Sequence, residues 1–322
     1  MAKKTKMWLI LAASLILTGL IIFGGVMTAL KWDFGKLSTT KYVTNEHTVS
    51  EAFTDISVNT QTSKVIFAVS DTDTVKVICH EQKNLKHEVS VNNGTLTVEV
   101  KDTRKWYEYI GINFGSSEVT VYLPSGSYGA CTVKTSTGDI EIPNSFTFES
   151  LDISGSTCDV NCLASVSGAV KIKLSTGDIT LESLSAGALD LTVSTGRITA
   201  TGISCPGEVK TKCSTGKMNF TDVNCKSLIS EGNTGDMYLK NVIASEKFDI
   251  KRDTGDVNLD GCDAGEIFIT TDTGDVSGTL LSEKVFITKT DTGKTDVPKT
   301  VNGGRCEITT DTGDIKISVP SN

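Results

Sequence analysis

Proline is scarce in this chain, with five in 322 residues, and so are histidine and tryptophan, with three each. Scarce proline removes any collagen-like or polyproline reading. The three histidines, His47, His80 and His87, all precede the regular part of the chain, which leaves little for histidine-based catalysis there. No basic excess exists: the net charge is −8 and no Lys/Arg stripe gathers, so a nucleic-acid backbone is not an expected partner. CxxC pairs are absent, and no Cys/His run has zinc-finger spacing, so the spacing points to no metal centre.

Glycine, by contrast, is plentiful and regularly spaced. Ser175-Thr176-Gly177-Asp178-Ile179 recurs with glycines at Gly138, Gly177, Gly196, Gly216, Gly235, Gly255, Gly274, Gly293 and Gly313. Ser156-Thr157-Cys158-Asp159 fills the one gap, so successive blocks lie 19 or 20 residues apart. Such a period is the mark of a repeat architecture. Counting each glycine as zero, position −7 is apolar in every copy, from Cys131 and Leu151 to Phe286 and Cys306. Positions −5, +2 and +4 are mostly apolar, as in Ile172, Ile179 and Leu181, with a weaker apolar site near +7 at Leu184, Ile203, Val223, Val242 and Leu281.

A period of two on each side of the glycine describes two short strands with one face inward, joined by a tight Thr-Gly corner. Glycine serves at that corner because positive φ resists a side chain. The expected fold is all-β: a parallel β-solenoid of about ten coils over 126–322, roughly 48 Å long at about 4.8 Å per coil. Residues 51–125 read as an irregular β region capping it, with Asn92-Asn93-Gly94 as a hairpin turn and Thr62–Ile66 as a decayed repeat. The final strand, Ile315–Val319, is expected to be an uncapped edge open to a second copy or a partner.

Ahead of the β region lie a tail (1–6), an apolar span (7–30) and a polar stalk (31–50). Met7 to Leu30 is 24 uncharged residues, long enough to cross a bilayer, and Trp8, Trp32 and Phe34 flank it as interfacial aromatics do. An uncleaved anchor is preferred to a cleaved signal peptide, since the h-region is long and Ala29 is a poor cleavage site. Lysines balance on the two sides, so the extracytoplasmic placement of the large domain rests on the resemblance to a signal anchor.

Three groups of side chains invite a chemical reading. Asp253, Asp272, Asp291 and Asp311 belong to Asp-Thr-Gly triplets, but earlier copies place serine or asparagine in that slot, so a corner role is expected over an aspartic-protease role. Stacked, these carboxylates are also candidate calcium ligands, against which Lys251, Arg252 and Lys294 stand close by. Trp106, Tyr107, Tyr109 and Phe114 form the densest aromatic stretch outside the span. Such a cluster either covers the open end of a core or, exposed, makes a contact surface. Cys205 and Cys225 hold the same place in adjacent coils, within disulfide reach; burial as small apolar residues is the alternative.

With an apolar span, strands closing in Val121-Tyr122-Leu123-Pro124 and repeated Ser-Thr-Gly-Asp-Ile blocks, residues Phe53 to Val319 resemble the bacterial "putative adhesin" family of β-strand repeat proteins, LiaG-like proteins included. The resemblance implies a membrane-anchored, extracytoplasmic solenoid in a Gram-positive type of cell, with surface adhesion or an envelope-stress role. A cell-envelope glycan is a candidate partner beside the membrane itself. It supplies no catalytic residues and no cofactor. A non-enzymatic binding module is therefore the expected function, and a carbohydrate-active solenoid lyase or hydrolase is the alternative.

Overall fold

The computed structural model describes residues 3–38, 40–109 and 115–320. Helix α1 (Lys3–Ala29) carries a 26-residue segment, Lys4–Ala29, long and apolar enough to cross a membrane, with none of its most apolar window buried by the protein. Among the described residues, everything after it that has regular structure, apart from two single 3-10 turns, is β, in one continuous sheet system.

The repeat coils stack as the periodicity predicts. Ile179 pairs with Ile198, Ile198 with Met218 and Met218 with Met237, like above like in parallel register. Positions −7, −5, +2 and +4 form the interior, which is one unbroken apolar cluster running from Ile56 to Ile317. Leu281, by contrast, is exposed. The register shifts by one residue after the Leu259–Gly278 pair, where Asp260 and Gly261 face Thr279 alone, so Leu280 takes the slot beside Cys262 instead.

At the C-terminal end the coil order departs from chain order. Cys306 pairs with Ile267 on one side and Phe286 on the other, and Ile315 lies between Val276 and Thr295. The Gly313 coil, last in sequence, is thus inserted between the Gly274 and Gly293 coils. Burial explains the choice. The Gly313 coil turns Cys306, Ile308, Ile315 and Ile317 inward, whereas the Gly293 coil offers Phe286, Thr288, Thr295 and Val297 at the matching positions. Sealing the more apolar coil inside removes each isoleucine from water, worth roughly 2 kcal/mol apiece. Of the edge expected at Ile315–Val319, Ile315 and Lys316 are therefore covered by Thr295–Asp296, and the long open edge is Lys284–Thr292 of the Gly293 coil.

The N-terminal end uses a similar interlock. Strands β1 (Tyr42–Val49), β2 (Asp55–Asn59), β3 (Ser63–Val69), β4 (Val75–Gln82), β5 (Leu85–Asn92), β6 (Thr95–Asp102), β7 (Ser117–Leu123), β8 (Gly126–Thr137) and β9 (Ile140–Ile142) build it. The β2–β3 coil sits between the β6–β7 coil and the β8–β9 coil, parallel to both. Beyond that, β5 runs antiparallel on β6 and β4 on β7, and β1 runs antiparallel on β4. Antiparallel strands end the parallel stack and so cover its edge. Asn93 and Gly94 take positive φ in the β5–β6 turn, as the Asn-Gly pair requires. Tyr42–Val49, which the sequence reads as the end of a stalk, is strand β1; its alternating polar residues face solvent on an edge.

Candidate functional site

The repeated Asp-after-Gly finds its role at the corner. The Asp139 carboxylate accepts the backbone N–H of Asp159 (3.0 Å), Asp159 that of Asp178 (2.8 Å) and Asp178 that of Arg197 (2.7 Å). Beyond a gap at Arg197 and Lys217 the ladder resumes: Asp256 N–H to Asp236, Asp275 to Asp256, Asp314 to Asp275 and Lys294 to Asp314. These bonds follow the interlocked coil order, and each occupies an amide that would otherwise lack a partner at the bend. Asp253, Asp272, Asp311 and Asp291 stand across the corner in that spatial order, all exposed. Their carboxylates do not converge on one point, and Asp291 pairs with Lys289 at 3.2 Å.

The aromatic stretch does not cover the core. A 3-10 turn, Trp106–Tyr109, leaves Trp106 78% exposed, Tyr107 50% and Tyr109 59%. Phe114 lies outside the described residues. The turn is held from beneath: Arg104 bonds Asp102 (2.7 Å) and stacks on the Tyr109 ring (4.4 Å), while the Tyr109 hydroxyl donates to Asp102 (2.8 Å). Arg104 keeps the Asp102 carboxyl well below the usual carboxylate range. Asn84 secures Glu108 from the β4–β5 turn at 2.5 Å. Beside the turn lies a cleft of about 320 Å³ lined by Lys41, Lys83, Arg104, Tyr107 and Glu108 among others. Lys41 and Lys83 make no ion pair among the described residues, so the cleft joins an aromatic face to unspent positive charge.

Cys205 and Cys225 are in direct register on adjacent coils, and both are free thiols buried in the wall. Burial pushes Cys225 up to about 12, so it behaves as a small apolar residue.

Two features escaped the sequence. Arg252, which reads as a surface neighbour of the acidic row, occupies an inward position three before Gly255. It is 2% exposed with no hydrogen bond to its guanidinium. Its side chain fills the space over Gly232, where a Cβ would lie 1.8 Å from Nη1, and burial lowers its pKa. The second is Cys79, Glu81 and His87, whose donor atoms lie within 4.8 Å of one another inside the cap. The available signal was alternation: Val75, Val77, Cys79 and Glu81 share one strand face, so an apolar row ends in an inward carboxylate.

No curated protein matches the chain in sequence. Among solved structures, a "putative adhesin" from Bacteroides fragilis NCTC 9343 shares 15% identity over 86% of this chain and 97% of that one, with a TM-score of 0.44. A "putative adhesin" from Parabacteroides distasonis ATCC 8503 shares 13% over 87% and 98%, also at 0.44. A "putative lipid binding protein" from the same organism shares 12% over 87% and 98%, at 0.35. The Toastrack DUF4097 family model matches residues 53–212 and 206–322, which takes in the β2–β9 end and all ten repeat coils. By that match, which spans most of its length, this chain belongs to the Toastrack DUF4097 family.

Proposed function

We propose that this chain is a single-pass membrane protein holding its solenoid outside the cytoplasm as a non-enzymatic binding module, with the aromatic cleft of the cap as its contact surface. The observation that carries this reading is the exposed Tyr107 lining one cleft with the unpaired Lys41 and Lys83, with the exposed Trp106 next to it on the same turn. Flat aromatic faces and lysines together suit an anionic cell-envelope glycan: rings stack on sugar faces, and ammonium groups meet the charge. Position supports it as well. Lys41 is pinned to the cap through its carbonyl, which accepts the Lys83 N–H at 2.9 Å. Only 11 residues separate it from Leu30 at the end of the apolar span, a reach of at most about 40 Å.

Binding is favoured over glycan cleavage by the lining of the clefts. Glycoside hydrolysis draws on two facing carboxyl groups. Five surface clefts hold one carboxylate at most, Glu108, Asp296 or Glu283, and Glu108 is spent on Asn84 and the Lys105 amide.

A glycan array probed with the full chain in nanodiscs, run beside a reducing-end release assay, tests the reading. Binding without release, lost in Trp106→Ala/Tyr107→Ala and kept in Tyr238→Ala, is the expected result. Release of reducing ends establishes the enzyme instead, and no binding to any envelope glycan removes the proposal. Protease added to intact cells decides the side: cleavage of the solenoid is expected, and protection refutes the extracytoplasmic placement.

A further inference from the structure

Inside the cap, three side chains of different chemistry turn toward one point. Cys79 and Glu81 alternate on the inner face of β4, and His87 reaches the same point from β5, across the Lys83-Asn84 turn. Glu81 and Cys79 have no solvent exposure and His87 almost none. The outward atoms are already held. Asn45 Nδ2 donates to Glu81 Oε1 at 2.6 Å, and Thr60 Oγ1 lies 3.0 Å from His87 Nε2. Glu81 Oε2, His87 Nδ1 and Cys79 Sγ are the three inner atoms; Oε2 accepts the His87 backbone N–H at 2.5 Å, which holds it in place, and lies 2.7 Å from Nδ1. A ligand whose far atom is fixed by a neighbour while its near atom faces its fellows is the usual second layer of a metal site.

Among the described residues this is the only such convergence of three Cys, His, Asp or Glu donors. The Cys79 thiol makes no hydrogen bond there, so nothing in the polar network accounts for its inward place. His47 adds a further observation. It lies opposite Val77 on β1, sharing the face of Asn45 and Cys79, and its buried Nε2 has no partner.

We propose that Cys79, Glu81 and His87 bind one zinc ion, which clips the β4–β5 hairpin to β1 and β2 and locks the N-terminal cap. A thiolate, an imidazole and a carboxylate are the borderline donors zinc accepts, and a water completes four-coordination. The adjustment is small. Two ligand atoms on bonds of about 2.0 Å to a tetrahedral ion sit about 3.3 Å apart, so Oε2 and Nδ1 must separate by about 0.6 Å. On coordination the S–H proton leaves to solvent and the sulfur lone pair takes its place on the metal. Because the donors are sealed from solvent, the ion enters as the cap folds. The competing arrangement is the hydrogen-bonded Glu81–His87 pair alone, beside a buried thiol.

The test uses the untagged full chain in detergent, first isolated from zinc-supplemented cells, then refolded from denaturant with zinc or with chelator. Equimolar zinc by elemental analysis is expected by either route, with a higher melting temperature for the zinc form. Refolding with cobalt is expected to give tetrahedral visible bands and a thiolate-to-cobalt charge-transfer band. Cys79→Ser should lose the charge-transfer band, Cys205→Ser should keep it, and Thr60→Val should weaken zinc binding about tenfold. No bound metal after both routes, or a charge-transfer band retained in Cys79→Ser, overturns the proposal. If Cys79→Ser does not fold, the metal content and cobalt spectrum of the unaltered chain still decide.

Discussion

Replacing Gly216 by alanine tests whether the corner glycines are present for their backbone angle alone or also for the closeness of the stack. Gly216 has φ +143, a region that costs a side chain about 1–3 kcal/mol. A Cβ there would also lie 1.6 Å from the carbonyl oxygen of Gly196 in the coil above. Relief needs the two coils to part by well over an ångström at the corner. That breaks the Gly196 N–H to Thr215 bond (3.0 Å) and the Ile198 N–H to Lys217 bond (3.0 Å). At about 1 kcal/mol net for each, the total reaches roughly 3–5 kcal/mol. Gly202 is the control, since its φ is +66 but its nearest neighbour to an added Cβ is 3.6 Å away. Only the left-handed strain applies there, about 1–2 kcal/mol. Urea unfolding of the full chain in detergent, with amide exchange over coils 196–235, reads both variants. A difference of about 2 kcal/mol or more is expected, concentrated in those coils. Equal losses within about 0.5 kcal/mol would refute stacking collision as the reason for glycine.

The interlocked C-terminal end makes Ile315, seven residues from the last, an interior residue: Ile315→Ala is expected to cost about 2–5 kcal/mol in urea unfolding, while Thr295→Ala in the end coil stays within about 0.5 kcal/mol. Reversed costs would place the coils in chain order. Arg252→Met removes a buried, unpartnered guanidinium and keeps most of its volume, so the melting temperature is expected to rise, equivalent to about 1–4 kcal/mol; a fall shows that the charge has a partner. Cys225 and Cys306 are each pushed up to about 12 by burial, against 9.0 for the free thiol. A raised thiol pKa means that stability is full below the unfolded value and falls as pH climbs through 9 toward 12. By pH 10 each costs about 1.4 kcal/mol, so the urea midpoint should drop clearly between pH 8 and pH 10, and an unchanged midpoint argues against sealed thiols.

Much of this architecture is legible in one dimension. The 19–20-residue period, the alternation about each glycine and the Asn-Gly hairpin are local patterns, and local patterns settle which side chains turn inward and where the chain bends. The corner aspartates could be placed but not explained, because the amide each accepts belongs to another coil. The same limit applies to Trp106 and Tyr107. An aromatic run reads alike whether it covers a core or stands in solvent, and only the Asp102–Arg104–Tyr109 brace holds it outward.

The repeat by itself determined the coil, its interior rows and its corner. The order of coils at the two ends, the position of Arg252 over Gly232 and the meeting of Cys79, Glu81 and His87 were decided only in three dimensions. Near-identical coils carry no address in their own sequence. Their order is set by comparing which coil loses more when left at the open end, Thr288 and Thr295 against Ile308 and Ile315. That comparison is between residues 20 apart in sequence and in contact only after folding, and no local pattern contains it.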